Sequence, residues 1–430
     1  MTTNSRRDDN LSRRSFWTHA GRAMAGAALL PRRARSQEPP ASPVALARCT
    51  SYGAEVLPAL RKMFDQIGGV GSLVKGKTVA VKVNMTGNPD IRAGYIPIER
   101  MTFTHPDVIG AAVYLLSRAG ASRIRILESP WKSAEPLEEY MISAGWEPND
   151  IIAASSGAKV EFENTNFLGR GKQYHRFTVP HGGHLFPAYD LNHSYYDCDV
   201  FVSIAKLKEH DAAGLTLAIK NCFGIIPCTI YGDGAPEDEP GLVPRGGRSP
   251  IHAGNRQPPR SSPQEKDPKS PRNEGYRIPR CIADIVAMRP VDLAIIDGIE
   301  SMNNGENGGR PESYVKPHLL VAGRNVVCVD AVGAAVMGFD PMADRGHPPF
   351  ERADSTFRLA EELGVGTRDL RRIEVVGSRI SEVVFDYRMS RPDADGKPGG
   401  WPDRGRSQRG GGRRGDTPGQ AAPGRGPGPG

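Results

Sequence analysis

Between residues 77 and 377, short β-branched runs alternate with helical periodicity, and this alternation restricts the fold more than any other feature of the chain. Lys77–Val83 (KTVAVKV), Arg123–Leu127, Asp199–Ile204 (DVFVSI), Val291–Ile296 (VDLAII), His318–Ala322 and Ile373–Val376 have strand composition. Apolar residues recur at helical spacing in Asp107–Arg118, Pro136–Ala144, Leu215–Phe223, Arg277–Met288, Val326–Met337 and Arg352–Leu363. The expected class is α/β: a mainly parallel sheet flanked by helices on both faces.

Two stretches do not fit a core. Gly232–Gly275 is aperiodic and rich in Pro, Gly, Ser and charge, so a long flexible insertion is expected there. Residues 389–430 are Gly, Pro and Arg in low-complexity order and are expected to be a disordered tail. A third segment is set apart at the start. Ser12-Arg13-Arg14-Ser15-Phe16 leads into a short, weakly apolar run to Leu30, and Ala34-Arg35-Ser36 offers a small-x-small cleavage pattern. Residues 1–36 resemble a twin-arginine signal peptide, which implies cleavage near Ser36 and a periplasmic or extracellular mature protein whose α/β domain covers 37–388. The export machinery is then an expected partner. The run is too short to span a bilayer, which takes about 20 apolar residues, and no later stretch does so either.

Charge has to be located before it is interpreted. The chain carries a formal net charge of +7, but residues 1–36 hold eight arginines against two aspartates, and 389–430 hold eight basic against four acidic residues. The body is therefore mildly acidic and shows no basic patch interleaved with aromatics, so nucleic acid is not an expected partner. The six cysteines form no C-x-x-C pair, and no iron–sulfur or zinc motif is signalled. There is no Walker A sequence and no G-x-S-x-G elbow, and Gly68-Gly69-Val70-Gly71 precedes a strand instead of following one. The histidines His175, His181, His184 and His193 have no strong metal spacing.

Polar groups collect where predicted strands end: Lys82, Asn84 and Thr86; Glu128 and Ser129; Lys206, Lys208 and His210; and Asp297. Ligands of open parallel sheets bind outside the carboxyl ends of the strands, so these residues are expected around one cleft. Lysines there suit a carboxylate or phosphate, though each could also be a solvated loop residue. His210, Lys208 and Asp297 are the catalytic candidates, with His210 moving a proton. Lys82, Asn84, Thr104, Glu128, Lys206, Lys220 and Asn221 are the candidate ligand contacts, Thr104 with the alternative of capping the helix that follows it. Glu128, His210 and Asp297, with Asp330, could instead hold a divalent metal, and Asp297 and Asp330 could simply be capping residues.

The blocks VKVNMTG (81–87), TFTHPDVIGAAVYLL (102–116), GASRIRILES (120–129), AKLKEHDAAGLTLAIKNCFG (205–224), AIIDGIE (294–300) and VDAVGAAVMGFDP (329–341) resemble the domain-of-unknown-function 362 family (DUF362). The lysine–histidine block followed by Thr216, Lys220, Asn221 and Gly224 is the most specific part of that resemblance. Many relatives carry a ferredoxin-like module, for which this chain lacks the cysteine spacing. The resemblance implies the fold and the site and names no reaction. From the residues, the expectation is an exported protein with a lysine-lined pocket for a small anionic or polar molecule, acting by acid/base chemistry. A non-catalytic binding protein and a scaffold acting through its tail are the alternatives.

Overall fold

The computed structural model describes residues 38–388 apart from 90–91, 132–133, 169–172 and 307–310. The leader at 1–36 and the tail at 389–430 lie outside the described residues.

An eight-stranded sheet organises the body. Its strands, in chain order, are β1 (Val44–Arg48), β2 (Thr78–Lys82), β3 (Arg123–Glu128), β4 (Lys159–Asn164), β5 (Val200–Lys206), β6 (Leu293–Gly298), β7 (Leu319–Gly323) and β8 (Val375–Gly377). The spatial order is β8-β1-β7-β6-β5-β2-β3-β4. All pairings are parallel except those of β7, which runs against both β1 and β6. The α/β class with a mainly parallel sheet therefore holds. Strands β1 and β4 are additions to the sequence reading, and both sit near the edges, where composition is less apolar.

Both faces of the sheet are covered, which is why its central strands lack a polar face. One layer packs Val56–Gln66, Pro106–Arg118, Leu137–Ser143 and Pro148–Ala153 against Val79, Val81, Val202, Ile204, Leu293 and Ile295. The other packs Leu217–Asn221, Glu274–Met288, Val326–Val336 and Thr356–Glu362 against Ala80, Phe201, Ala205 and Ile296. Local chemistry starts the helices where it should. Asn325 accepts hydrogen bonds from Val327 and Cys328 N–H, and Asn273 from Tyr276 N–H, each satisfying donors that a first turn leaves free.

From β2 the chain steps outward to β3 and β4, then returns to place β5 on the other side of β2. The order thus reverses between β2 and β5, and their carboxyl ends flank a crevice at the reversal. Segment 232–275 borders that crevice. It is irregular, as its composition implies, with a single turn of helix at Ser249–His252. It is not a detached insertion, however. Glu265 within it is buried and accepts hydrogen bonds from Arg277 and Arg272 Nη1, both at 2.6 Å, and from Gln257 at 2.9 Å. Burial alone would raise the Glu265 carboxyl, but these donors hold it down to about 2.

Candidate functional site

The crevice contains a small inner pocket that opens into a cleft of about 480 Å³, the two sharing Thr86, Trp131, His210, Lys220, Phe223 and Arg248. Lys82, the last residue of β2, forms the floor. Its Nζ donates to Glu128 Oε2 at 2.8 Å and to Asn221 Oδ1 at 3.1 Å, and both charged groups are buried. Glu128 is fixed in turn by backbone N–H groups of Met85 (2.9 Å) and Ser129 (3.0 Å). Burial pulls Lys82 down and Glu128 up, each toward its neutral form, and their mutual contact opposes both shifts.

Gly224 makes this floor possible. A methyl group there would come within 2.6 Å of Glu128 Oε1 and 2.7 Å of Lys82 Nζ, so any side chain at this position would displace the ion pair. The helix Leu217–Asn221 is held from behind by Asp330, whose two oxygens accept from Ala218 and Ile219 N–H at 2.8 Å. Burial pushes the Asp330 carboxyl up to about 8. It is a capping group reaching from a neighbouring helix.

Two further cations face the cleft. Lys220 lies over the Phe223 ring at 4.5 Å and forms no hydrogen bond or ion pair among the described residues. Burial, with help from Arg248 and Lys82 and against the nearby Glu306, brings its ammonium down to about 8. Arg248 is buried and, among the described residues, donates only to main-chain carbonyls, Ile226 and Ser129, both at 2.9 Å. Its backbone is left-handed (φ 57°), a conformation that Arg seldom adopts. Asp233 braces the turn by accepting from Gly247 N–H (3.0 Å) and Ser249 N–H (2.9 Å) on either side. A strained residue held in place at a cleft is a feature of functional sites. Arg248 and Trp131 were not foreseen from the sequence.

His210 is buried at the pocket wall. Its Nδ1 accepts from Ala212 N–H at 3.1 Å, and its Nε2 lies 3.9 Å from Glu306 Oε1. Burial, then Lys220 and Lys208, keeps the ring well below its ordinary pKa. The ring is therefore neutral with its proton on Nε2, which makes it a hydrogen-bond donor to the cleft.

The strand-end residues do not all converge. Lys82, Asn84, Glu128, His210, Lys220 and Asn221 line the inner pocket. Lys206 and Asp297 pair with each other instead, at 2.9 Å and fully buried. Lys206 also donates to Tyr52 OH (2.9 Å) and Glu99 O (2.8 Å), while Asp297 accepts from Tyr52 OH (3.1 Å) and His105 N–H (3.0 Å). The physical reason is strand periodicity. Lys82 is opposite Ser203 in register, so Lys206, three residues on, points to the other face with its partner Asp297. Lys208 is buried outside the pocket, donating to Thr102 O (3.0 Å) and Glu306 O (2.9 Å). Thr104 also lies outside it. Its hydroxyl bonds Ile204 O at 2.9 Å, and His105 is the residue that caps the following helix. Of the metal candidates, Glu128 and His210 line the inner pocket, whereas Asp297 lies apart with Lys206. Among the described residues no group of three His, Cys, Asp or Glu side chains is placed to hold a metal.

Known proteins resemble this chain to different extents. Thylakoid-associated protein sll1697 of Synechocystis sp. is 29% identical over 187 residues, covering 43% of this chain and 50% of that protein. The chain thus spans about half the length of this curated relative. Among solved structures, the lactate racemase apoprotein of Thermoanaerobacterium thermosaccharolyticum aligns over 66% of this chain and 54% of its own, with 11% identity and a TM-score of 0.32. A Thermotoga maritima protein aligns over 74% and 61%, with 12% identity and a TM-score of 0.33. Scores this low transfer no chemistry to the site. Residues 79–335, more than half the chain, match the family described as Domain of unknown function (DUF362), and the protein belongs to that family.

Proposed function

We propose that the cleft binds a small anion and acts on it by acid/base chemistry. The observation that carries this reading is the pair of cations Lys220 and Arg248, which line the inner pocket without a carboxylate partner among the described residues. Desolvated cations are stabilised when an anion reaches them, and charge-assisted hydrogen bonds are the stronger ones. The Lys82–Glu128 pair on the floor would take or return a proton, and the His210 Nε2–H would donate to a developing negative charge. Asn221 orients Lys82 through its Oδ1 and is itself anchored by Nδ2 bonds to Ser203 Oγ (3.0 Å) and Ile204 O (3.3 Å).

Calorimetric titration with small carboxylates and inorganic phosphate tests the binding step. Lys220→Met is expected to weaken the bound anion by roughly ten- to a hundredfold, the worth of a charge-assisted hydrogen bond of about 1.5–3 kcal/mol. Unchanged affinity in this variant would remove the reading. Catalysis further requires that Glu128→Gln abolish turnover of the bound acid while leaving an anion site. A graded loss of affinity alone would indicate a binding protein.

We also propose that the protein is exported, from Arg13-Arg14 and the cleavage pattern before Gln37. Replacing both arginines with lysine is expected to leave precursor in the cytoplasm. Normal export of the double variant would contradict this.

A further inference from the structure

Asn84 narrows the class of anion, given the anion-binding reading above. Asn221 Nδ2 donates to Lys82 O, Ser203 Oγ and Ile204 O, which fixes the orientation of that amide and turns its Oδ1 toward Lys82 and Asn84. Only an N–H can meet that oxygen, so Asn84 presents its Nδ2 to Asn221, at 3.0 Å. The other end of the Asn84 amide is then an acceptor. Its Oδ1 is buried without a hydrogen-bond partner among the described residues, on a residue only 6% exposed, and the residue lines the inner pocket. An orphaned acceptor on a residue that lines a pocket calls for a donor on the occupant.

The occupant must therefore offer two things: negative charge to Lys220 and Arg248, and an O–H or N–H to Asn84 Oδ1. With Lys82 offset by Glu128, an ammonium would still meet the uncompensated charges of Lys220 and Arg248 at the same pocket, and repulsion disfavours it. A hydroxyl carries no such penalty. We infer that the ligand is a hydroxylated anion, a hydroxy acid in which the hydroxyl donates to Asn84 and the carboxylate faces Lys220 and Arg248. Trp131 and Phe223 line the approach, so a planar or apolar body can extend from the head group into the outer cleft.

Two matched pairs of acids test this on the full protein: mandelate against phenylacetate, and glycolate against acetate, each pair differing by one hydroxyl. Sites that hydrogen-bond a ligand hydroxyl reject analogues lacking it, because the buried group is left unpaired. The hydroxylated member of each pair that binds is expected to bind at least about tenfold tighter, and Asn84→Ala is expected to bring the ratio close to one while phenylacetate or acetate changes little. The wild-type ratio needs no variant and stands even if Asn84→Ala folds poorly. Equal wild-type affinities within a bound pair would overturn the hydroxyl inference, water then satisfying Asn84, and would leave the anion site intact. Phenylglycine binding as tightly as mandelate would overturn the choice of hydroxyl over ammonium. Binding of none of the acids would overturn the anion reading along with the inference.

Discussion

Two lysine–carboxylate pairs sit at the carboxyl ends of neighbouring strands, and only one of them lines the inner pocket. Lys206–Asp297 is closed: every neighbour is a protein group, with Tyr52, Glu99 O and His105 N–H completing both partners. Lys82–Glu128 is equally buried, yet it forms the floor of a pocket bordered by Lys220, Arg248 and the unpartnered Asn84 Oδ1. The difference teaches that a buried ion pair is no evidence of function by itself. What marks the second pair is the unspent hydrogen-bonding and charge around it.

The contrast can be broken most forcefully at the closed pair. Asp297→Ala leaves the buried Lys206 ammonium without its counter-ion, and is expected to cost about 3–5 kcal/mol in denaturant unfolding. Retention of wild-type stability would mean that water reaches Lys206. Next in size is Gly224→Ala, whose methyl collides with Glu128 and Lys82; overpacking of this kind typically costs about 1–3 kcal/mol, and here it should also abolish anion binding. Lys208→Met removes the donor to Thr102 O and Glu306 O. It should lower stability by about 1–3 kcal/mol, with binding affected only through the displaced Glu306 loop.

The smallest stability effect is expected at Lys220, and its sign is informative. Its folded-state value of about 8 lies below the ordinary 10.5, so the unfolded chain binds more protons between those limits. Burying the charged ammonium is unfavourable below pH 8, and the penalty is relieved as pH rises from about 8 toward 10.5. Lys220 therefore makes stability rise with pH over that window, and Lys220→Met should remove that rise without lowering stability at neutral pH. Chemical denaturation of both proteins across this range reads the slope directly. A steeper fall in the variant would show that the lysine is structural.

Much of this organisation was legible beforehand, and the failures have definite causes. The alternation of β-branched runs with helices located β2, β3, β5 and β6, and the strand-end rule picked out Lys82, Glu128 and His210, while Lys220 came in through the lysine–histidine block. It could not separate Lys82 from Lys206. Both faces of these strands are buried, so residue type does not reveal which face a lysine takes. Only the register of β2 against β5, Lys82 opposite Ser203, decides it. Arg248 was out of reach for another reason. Its position depends on Asp233 bracing a left-handed turn within a segment that has no periodicity, an arrangement made by tertiary contacts.

The central claim is that the ammonium of Lys220 holds the anion in the open cleft. The pH dependence of anion affinity tests it most directly, measured by calorimetry with a carboxylate that stays ionised throughout. The account predicts that affinity is steady at neutral pH and falls as pH rises through about 8, where Lys220 loses its proton, and that Lys220→Met binds weakly with no such fall. A wild-type affinity that is flat from pH 7 to 10, or a Lys220→Met protein that keeps the same pH profile, would contradict it.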